Sequence, residues 1–473
     1  MNIPQRVAFN TTVQLVGRTI SIALTLISFA IVTRYLGVAG FGAYSLVLTF
    51  LMLTVAIADL GTTPVGVREL ARRPDETHGL LGNLLGLRLL FAGLAALALL
   101  ALSPIVQYES RVQEGLRFAS LAAIALVLIG VPAIVFQSRL RLELAMLVEI
   151  VSSATTLILL IFVTTADLGF SAVVLATVGG SVLAAATGYV LAARLTRIRP
   201  QFERSEVRRL TKASLPVGLF MILGIVHFKI DTVLLSILKP LADVGTYSVA
   251  YRFIEQVLFI PSFFVAAVFP IIASYHATGD ALLKVAIDKS FAFLVIVGFP
   301  VAAGLFVVAP DVIKLLAGDE FDEAVTPLRI LLLSSIFFFT NALFSSLLVI
   351  YDLERQMALL VAAVVVGNVA LNLVLIPPFS YTGAAVATVI TELCGGIAMM
   401  IWASRAVGAR VDLSPVPRVL AATAGMVAAM WAALALPFGV TVVVGVLVYG
   451  MLGYLLGVVS RSDLALLVPR AAR

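Results

Sequence analysis

Fourteen stretches of about twenty largely apolar residues follow one another through nearly the whole chain, separated by short charged or Pro/Gly-marked breaks. They are approximately 9–33, 41–62, 80–102, 116–136, 145–165, 169–194, 210–236, 245–272, 289–309, 325–350, 358–377, 383–404, 415–436 and 440–459. About 20 such residues span a bilayer core as a helix. Backbone groups in hydrocarbon must satisfy one another, so each run is predicted to be helical. Only 12% of the 473 residues are charged, about half the usual share for a soluble domain, too few to cover a water-facing surface. The expectation is an all-α polytopic membrane protein with about fourteen transmembrane helices. The first run contains Arg18 and is too long for a signal h-region, so it is read as a true first span. The single cysteine, Cys394, lies inside an apolar run and gives no disulfide framework.

The basic residues set an orientation. With the N-terminus inside, 22 Lys and Arg fall in inner loops and tails, against Arg34, Arg111, Lys239 and Lys314 on the outer side. This asymmetry follows the positive-inside rule and predicts both termini in the cytoplasm. It also accounts for the sequence pI of about 9.5 without nucleic acid. Short loops leave no room for a large soluble domain, so function is placed within the bundle.

An internal repeat divides the chain. FGAYSLVL (41–48) matches VGTYSVAY (244–251), with Gly42, Tyr44 and Ser45 falling on Gly245, Tyr247 and Ser248; a weaker echo pairs 169–177 with 383–391. Six spans per copy give two pseudo-symmetric six-helix lobes of the same orientation. The expected organisation is an N-lobe over 1–194 (spans 1–6), a basic cytoplasmic linker over 195–209, and a C-lobe over 210–404 (spans 7–12). Spans 13–14 and a cytoplasmic tail occupy 405–473. The linker stretch RLTRIRPQFERSEVRRLTK suits either an amphipathic helix at the inner leaflet or a topology signal alone.

Charges inside the runs are the candidate chemistry, because burying them in a bilayer is costly. Arg117 and Arg329 lie near outer helix ends, where their side chains can reach water. Asp59 and Arg88 lie at similar depth and are read as a structural pair. Arg18, near the middle of span 1, joins Lys229 in span 7 and Arg252 in span 8 as cations that converge on a cleft or are neutralised locally. Asp231, Glu255 and Glu392 are candidates for such pairing or for a coupling proton or sodium ion. His227 is read as a packing residue, and Asn341, Asn368 and Asn372 as cavity-lining or helix-bridging groups. No metal-spaced His/Cys cluster and no P-loop is present, so an enzyme is not expected. Transport driven by a gradient is.

The stretches ISFAIVTRYLGVAGFGAYSLVLTF and ADLGTTPVGVRELARRPDE resemble the start of polysaccharide transporters. These are the oligosaccharide-lipid flippases of the multidrug/oligosaccharidyl-lipid/polysaccharide exporter superfamily. KIDTVLLS followed by VGTYSVAYRFIEQVLFIP resembles the corresponding second-lobe region. The resemblance implies two lobes around a central cavity with alternating access. It implies a polyprenyl (di)phosphate-linked oligosaccharide as substrate, moved from the inner to the outer leaflet of the cytoplasmic membrane for cell-surface glycan synthesis. Arg18, Lys229 and Arg252 then bind the anionic headgroup, and no cofactor beyond a coupling proton or sodium ion is expected. Other glycan-assembly membrane proteins are the expected partners, and nucleic acid is not. Three alternatives stay open: a lipid II flippase, a cation-coupled multidrug exporter, and a non-transporting scaffold of a polysaccharide synthase.

Overall fold

A computed structural model describes residues 3–73, 76–105 and 108–458, excepting the side chains of residues 3–12 and 15. Arg6 and the tail that carries Arg461, Arg470 and Arg473 therefore lie outside the described side chains. Every long element is helical: α1 (Ile3–Asp59), α2 (Thr62–Arg72), α3 (Thr77–Ile105), α4 (Ser110–Leu128), α5 (Gly130–Ser138), α6 (Leu142–Thr165), α7 (Gly169–Ala193) and α8 (Arg204–Leu238). There follow α9 (Leu241–Val257), α10 (Phe259–Thr278), α11 (Leu282–Val307), α12 (Ala309–Leu316), α13 (Val325–Ile350), α14 (Glu354–Val407), α15 (Pro415–Ala432) and α16 (Phe438–Leu455).

Among the described residues, 11 helices are long and apolar enough to cross a membrane. The chain is a multi-pass membrane protein. Eleven counts continuous helices, and two of these are interrupted. In α1, 57 residues long, the backbone breaks at Gly37 with φ 64°, a left-handed conformation that glycine adopts without a Cβ clash. In α14, 54 residues long, it breaks at Ser380, just after Pro377 and Pro378, which lack the N–H groups that would continue the ladder. At about 1.5 Å per residue each unbroken helix would far exceed a bilayer core of about 30 Å. The count of about fourteen remains an expectation.

The chain divides into two compact units, 1–248 with 316–320, and 249–315 with 321–473. In the first, α6 lies along α7 and α1, α3 lies along α4, and α8 packs on α1, α2 and α3. Its core gathers Leu80, Leu81, Leu84, Val131, Ile134, Val135 and Phe136. In the second, α13 lies along α14 and α11, and α15 pairs with α16 while packing on α11. There Val307 and Val308 meet Met426 and Met430. Leu94, Leu97, Ile158, Phe162, Leu359 and Val366 are all more than half exposed. Apolar surface of this extent suits lipid and not water.

The repeat reappears in the way helices end. Leu140 and Asp352, 212 residues apart, are both left-handed, with φ 53° and 55°. After Leu140, the Arg141 N–H bonds to the Phe136 carbonyl at 2.8 Å; after Asp352, the Leu353 N–H bonds to the Leu348 carbonyl at 2.8 Å. This is one helix-terminating motif used twice. Asp167 and Ser380, 213 residues apart, are also both left-handed at φ 50°.

The basic stretch 194–212 is helical only from Arg204 onward. Residues 196–203 carry no helix, and α8 begins at Arg204. The strand-like segment is strapped to α3: the Gln201 N–H bonds to the Gly82 carbonyl at 3.0 Å, and the Glu203 N–H bonds to Asn83 Oδ1 at 2.6 Å. Pro200 and these backbone pairings together favour an extended path over a helical one.

Candidate functional site

The first unit holds Arg18, Asp59, Arg88, Lys229 and Asp231. Arg88 is 1% exposed and forms an ion pair with Asp59. It also donates to the Val127 carbonyl at 2.5 Å and to Thr63 Oγ1 at 2.6 Å, while Thr63 donates to Asp59 Oδ1 at 2.7 Å. Three helices, α1, α2 and α3, thus meet in one charge-compensated knot that also ties to α4, which is how a buried guanidinium becomes tolerable. Gly130 leaves room for it, since a Cβ there would collide with the guanidinium.

Arg18 is paired with Glu149 of α6. Sequence reasoning did not single out Glu149. Its signal was a carboxylate within an apolar run, the same criterion that selected Arg18. With side-chain exposures of 45% and 30%, the pair remains accessible. Glu149 and Ser152 are the polar groups on the rim of an apolar pocket of about 240 Å³ between α4/α5, α6 and α7.

Lys229 is half-buried on α8, two residues before Asp231. Asp231 is 2% exposed and accepts a hydrogen bond from the Tyr247 hydroxyl at 2.8 Å. In the sequence Tyr247 stands out only as a repeat position. Its counterpart Tyr44 makes a 3.0 Å hydrogen bond with the Thr177 hydroxyl, so the two copies use one tyrosine differently, once on a neutral hydroxyl and once on a carboxylate.

The repeats touch at their matched residues. A Cβ on Gly42 would run into the Leu241 carbonyl oxygen and lie 2.8 Å from the Gly245 nitrogen; a Cβ on Gly245 would run into the Val38 carbonyl oxygen. Leu241 stands four residues before Gly245 and Val38 four before Gly42, so the contact is reciprocal. Two further contacts lie in the same unit. Tyr108 hydrogen-bonds Ser236 at 2.7 Å between their hydroxyls, and the Thr33 hydroxyl reaches the Leu316 carbonyl at 3.4 Å. Thr33 and Ser236 are again 203 residues apart.

The second unit holds Arg252, Glu255 and Glu392. Arg252 bonds Glu255 one turn along its own helix at 3.1 Å, with both side chains partly exposed. Glu392 is 4% exposed and accepts from Asn341 Nδ2 at 3.4 Å. Beside it Asn368 donates to Thr391 Oγ1 at 3.4 Å, and Asn372 donates to Asn368 Oδ1 at 2.9 Å. These amides bridge α13 and the two halves of α14 in an otherwise apolar bundle. Among the described residues no group of three or more His, Cys, Asp or Glu is placed to hold a metal ion.

The helix order and the duplicated helix ends define an all-helical, two-repeat, multi-pass membrane fold. The structure resembles the lipid II flippase MurJ in its inward closed conformation, with TM-score 0.79 and 15% identity, over 93% of this chain and 97% of that one. It also resembles the inward-facing conformation of a multidrug resistance MATE family transporter, with TM-score 0.68 and 16% identity, over 84% and 98%. A third match is a superfamily transporter from Pyrococcus furiosus described as having a binding pocket of reversed polarity, with TM-score 0.63 and 17% identity, over 85% and 95%. No curated protein matches the chain. A family profile described as polysaccharide biosynthesis protein matches residues 31–326, and the chain belongs to that family.

Proposed function

We propose that this protein is a flippase that carries a polyprenyl (di)phosphate-linked oligosaccharide from the inner to the outer leaflet of the cytoplasmic membrane. One observation carries the reading: a chain of the polysaccharide biosynthesis family keeps Lys229 half-buried in the apolar part of α8. A primary ammonium in that setting suits a phosphate as a compact point charge. Arg18, partly exposed beside Glu149, is a second phosphate-binding cation of the first unit, and Arg252, partly exposed beside Glu255, is the candidate of the second; at each, a phosphate displaces the carboxylate from the guanidinium. Bidentate binding to phosphate is geometrically natural for both.

Alternating access is the proposed cycle, with both termini cytoplasmic as the Lys and Arg asymmetry predicts. The Gly42–Gly245 crossing and the Tyr108–Ser236 bond join the first repeat to the start of the second, so they are contacts the cycle must release. Asp231 and Glu392 are buried carboxylates available to a coupling proton or sodium ion, with Glu255 a partly exposed third. Other glycan-assembly membrane proteins are the natural partners. A cation exporter would need the opposite charge at Lys229, so the multidrug reading is disfavoured; a lipid II flippase shares the diphosphate chemistry and differs in the glycan.

Reconstitution tests this directly. Purified protein in liposomes should move a fluorescent polyprenyl diphosphate oligosaccharide between leaflets and leave a dephosphorylated polyprenol analogue in place. Equal movement of both, or of neither, would count against the proposal.

A further inference from the structure

At one end of α14 the chain turns back over the helix and forms an open pocket of about 610 Å³, larger than the 240 Å³ pocket beside Glu149. Met400, Ile401, Val411 and Leu413 form its apolar wall, and Ser404, Arg405 and Arg410 are its polar groups. The reversal is built by Gly408, left-handed at φ 71°, whose N–H bonds to the Arg405 carbonyl. Beyond it the loop is pinned. The Asp412 N–H donates to Asp288 Oδ1 at 3.0 Å, Asp288 is itself paired with Lys284 of α11, and the Asp412 carboxylate accepts from Ser414. The pocket is thus a fixed feature of the second unit.

Two observations point to an occupant. Arg405 and Arg410 are exposed, and neither has an ion pair or side-chain hydrogen bond among the described residues. Arg405 complements the negative end of α14, but Arg410, beyond the helix, is not accounted for in that way. Above Arg405 the same helix presents a ladder of exposed apolar residues: Ile390, Leu393, Ile397 and Ile401, each about 40% exposed. The spacing of three or four residues puts them on one face, which ends at Arg405 four residues further on. An apolar stripe that closes on two unpaired guanidinium groups has the shape of a lipid, with chain above and phosphate below.

We infer that this pocket binds the phosphate headgroup of an anionic glycerophospholipid of the surrounding leaflet, with its acyl chain along Ile390–Ile401. The guanidinium groups hold the phosphate oxygens, and the Ser404 hydroxyl donates to them. This inference does not depend on the flippase reading.

Trp402 stands between pocket residues Ile401 and Ser404 and reports on it. In a Trp431→Phe background, Trp402 fluorescence is quenched by dibrominated phosphatidylglycerol or dibrominated phosphatidylcholine in vesicles of each. The expected result is a preference for phosphatidylglycerol of about thirtyfold, as two basic side chains near a lipid surface provide. It is lost in Arg405→Gln/Arg410→Gln and kept in the control Arg355→Gln. Equal quenching by the two lipids, or a preference that survives the double substitution, would overturn the assignment. Displacement of phosphatidylglycerol by millimolar inorganic phosphate would overturn it too, by marking a free-anion site. A double variant that fails to fold leaves Arg410→Gln alone to decide, with at least half the preference expected to go.

Discussion

Gly42 and Gly245, equivalent residues of the two repeats, pack so closely that a Cβ on either would strike a backbone carbonyl four residues before the other. Without hydrophobic drive between helices in lipid, close backbone approach through small residues is a main source of association. Gly42→Ala should therefore destabilise the protein by about 1–3 kcal/mol, the usual cost of overpacking. Thermal unfolding in detergent checks this, and an unchanged midpoint would contradict the crossing.

The Tyr108–Ser236 hydrogen bond ties the α3–α4 connection to α8 and offers a reversible lock. In a Cys394→Ser background, Tyr108→Cys/Ser236→Cys should be bridged by a short bis-methanethiosulfonate reagent that spans the space the tyrosine ring leaves, stop lipid transfer, and regain it on reduction. Transfer that continues at full rate in the bridged protein would remove this contact from the transport cycle.

Arg88 is argued to hold structure and not substrate. Arg88→Leu leaves Asp59 with its charge and without its counterion in a largely buried site, at a cost of about 3–5 kcal/mol. Asp59→Asn/Arg88→Leu should recover most of that loss. Transport per folded molecule should be near wild type in the double variant; a transport defect at normal stability would move Arg88 into the substrate path.

Much of this was legible because the bilayer simplifies the code. Helices followed from run lengths, and the Gly-x-Tyr-Ser match led to residues that turn out to touch. Counting depth was enough to put Asp59 beside Arg88. Other features left no trace. Leu140 and Asp352 share a left-handed end, yet leucine carries no preference for one. The 196–203 strap is fixed by the bonds of Gln201 and Glu203 to the Gly82 carbonyl and the Asn83 side chain, distant in sequence, so charge composition left a helix and a topology signal both open. Glu149 is visible as an intramembrane carboxylate, but it lies 131 residues from Arg18 and no sequence spacing pairs the two. Tyr247 donates to Asp231 across sixteen residues, a pairing that helical spacing does not encode because Lys239 and Pro240 break the chain between them.

The Asp412 carboxylate lies in the loop outside the membrane-spanning helices. Its hydrogen bonds from the Ser414 N–H and hydroxyl hold it below the ordinary carboxylate range, with Lys284 and Arg418 adding to the effect. A depressed folded pKa means the loop's anchor is present at neutral pH and is lost only as pH falls through that depressed value. Amide exchange at Ser414 should thus stay slow, relative to its intrinsic rate, down to strongly acidic pH. Asp412→Asn should abolish this pH dependence of protection, and wild-type protection lost already near pH 6 would contradict the assignment.

Lys229 as a phosphate ligand is open to a single transport assay. Wild type, Lys229→Arg and Lys229→Ala are reconstituted at matched folded amounts, and transfer of the fluorescent polyprenyl diphosphate oligosaccharide is timed with and without a proton or sodium gradient. The account predicts loss of at least tenfold in Lys229→Ala, with partial recovery in Lys229→Arg because the charge returns with altered geometry. Wild-type transfer by Lys229→Ala would show that the ammonium does not bind the headgroup and would contradict the account.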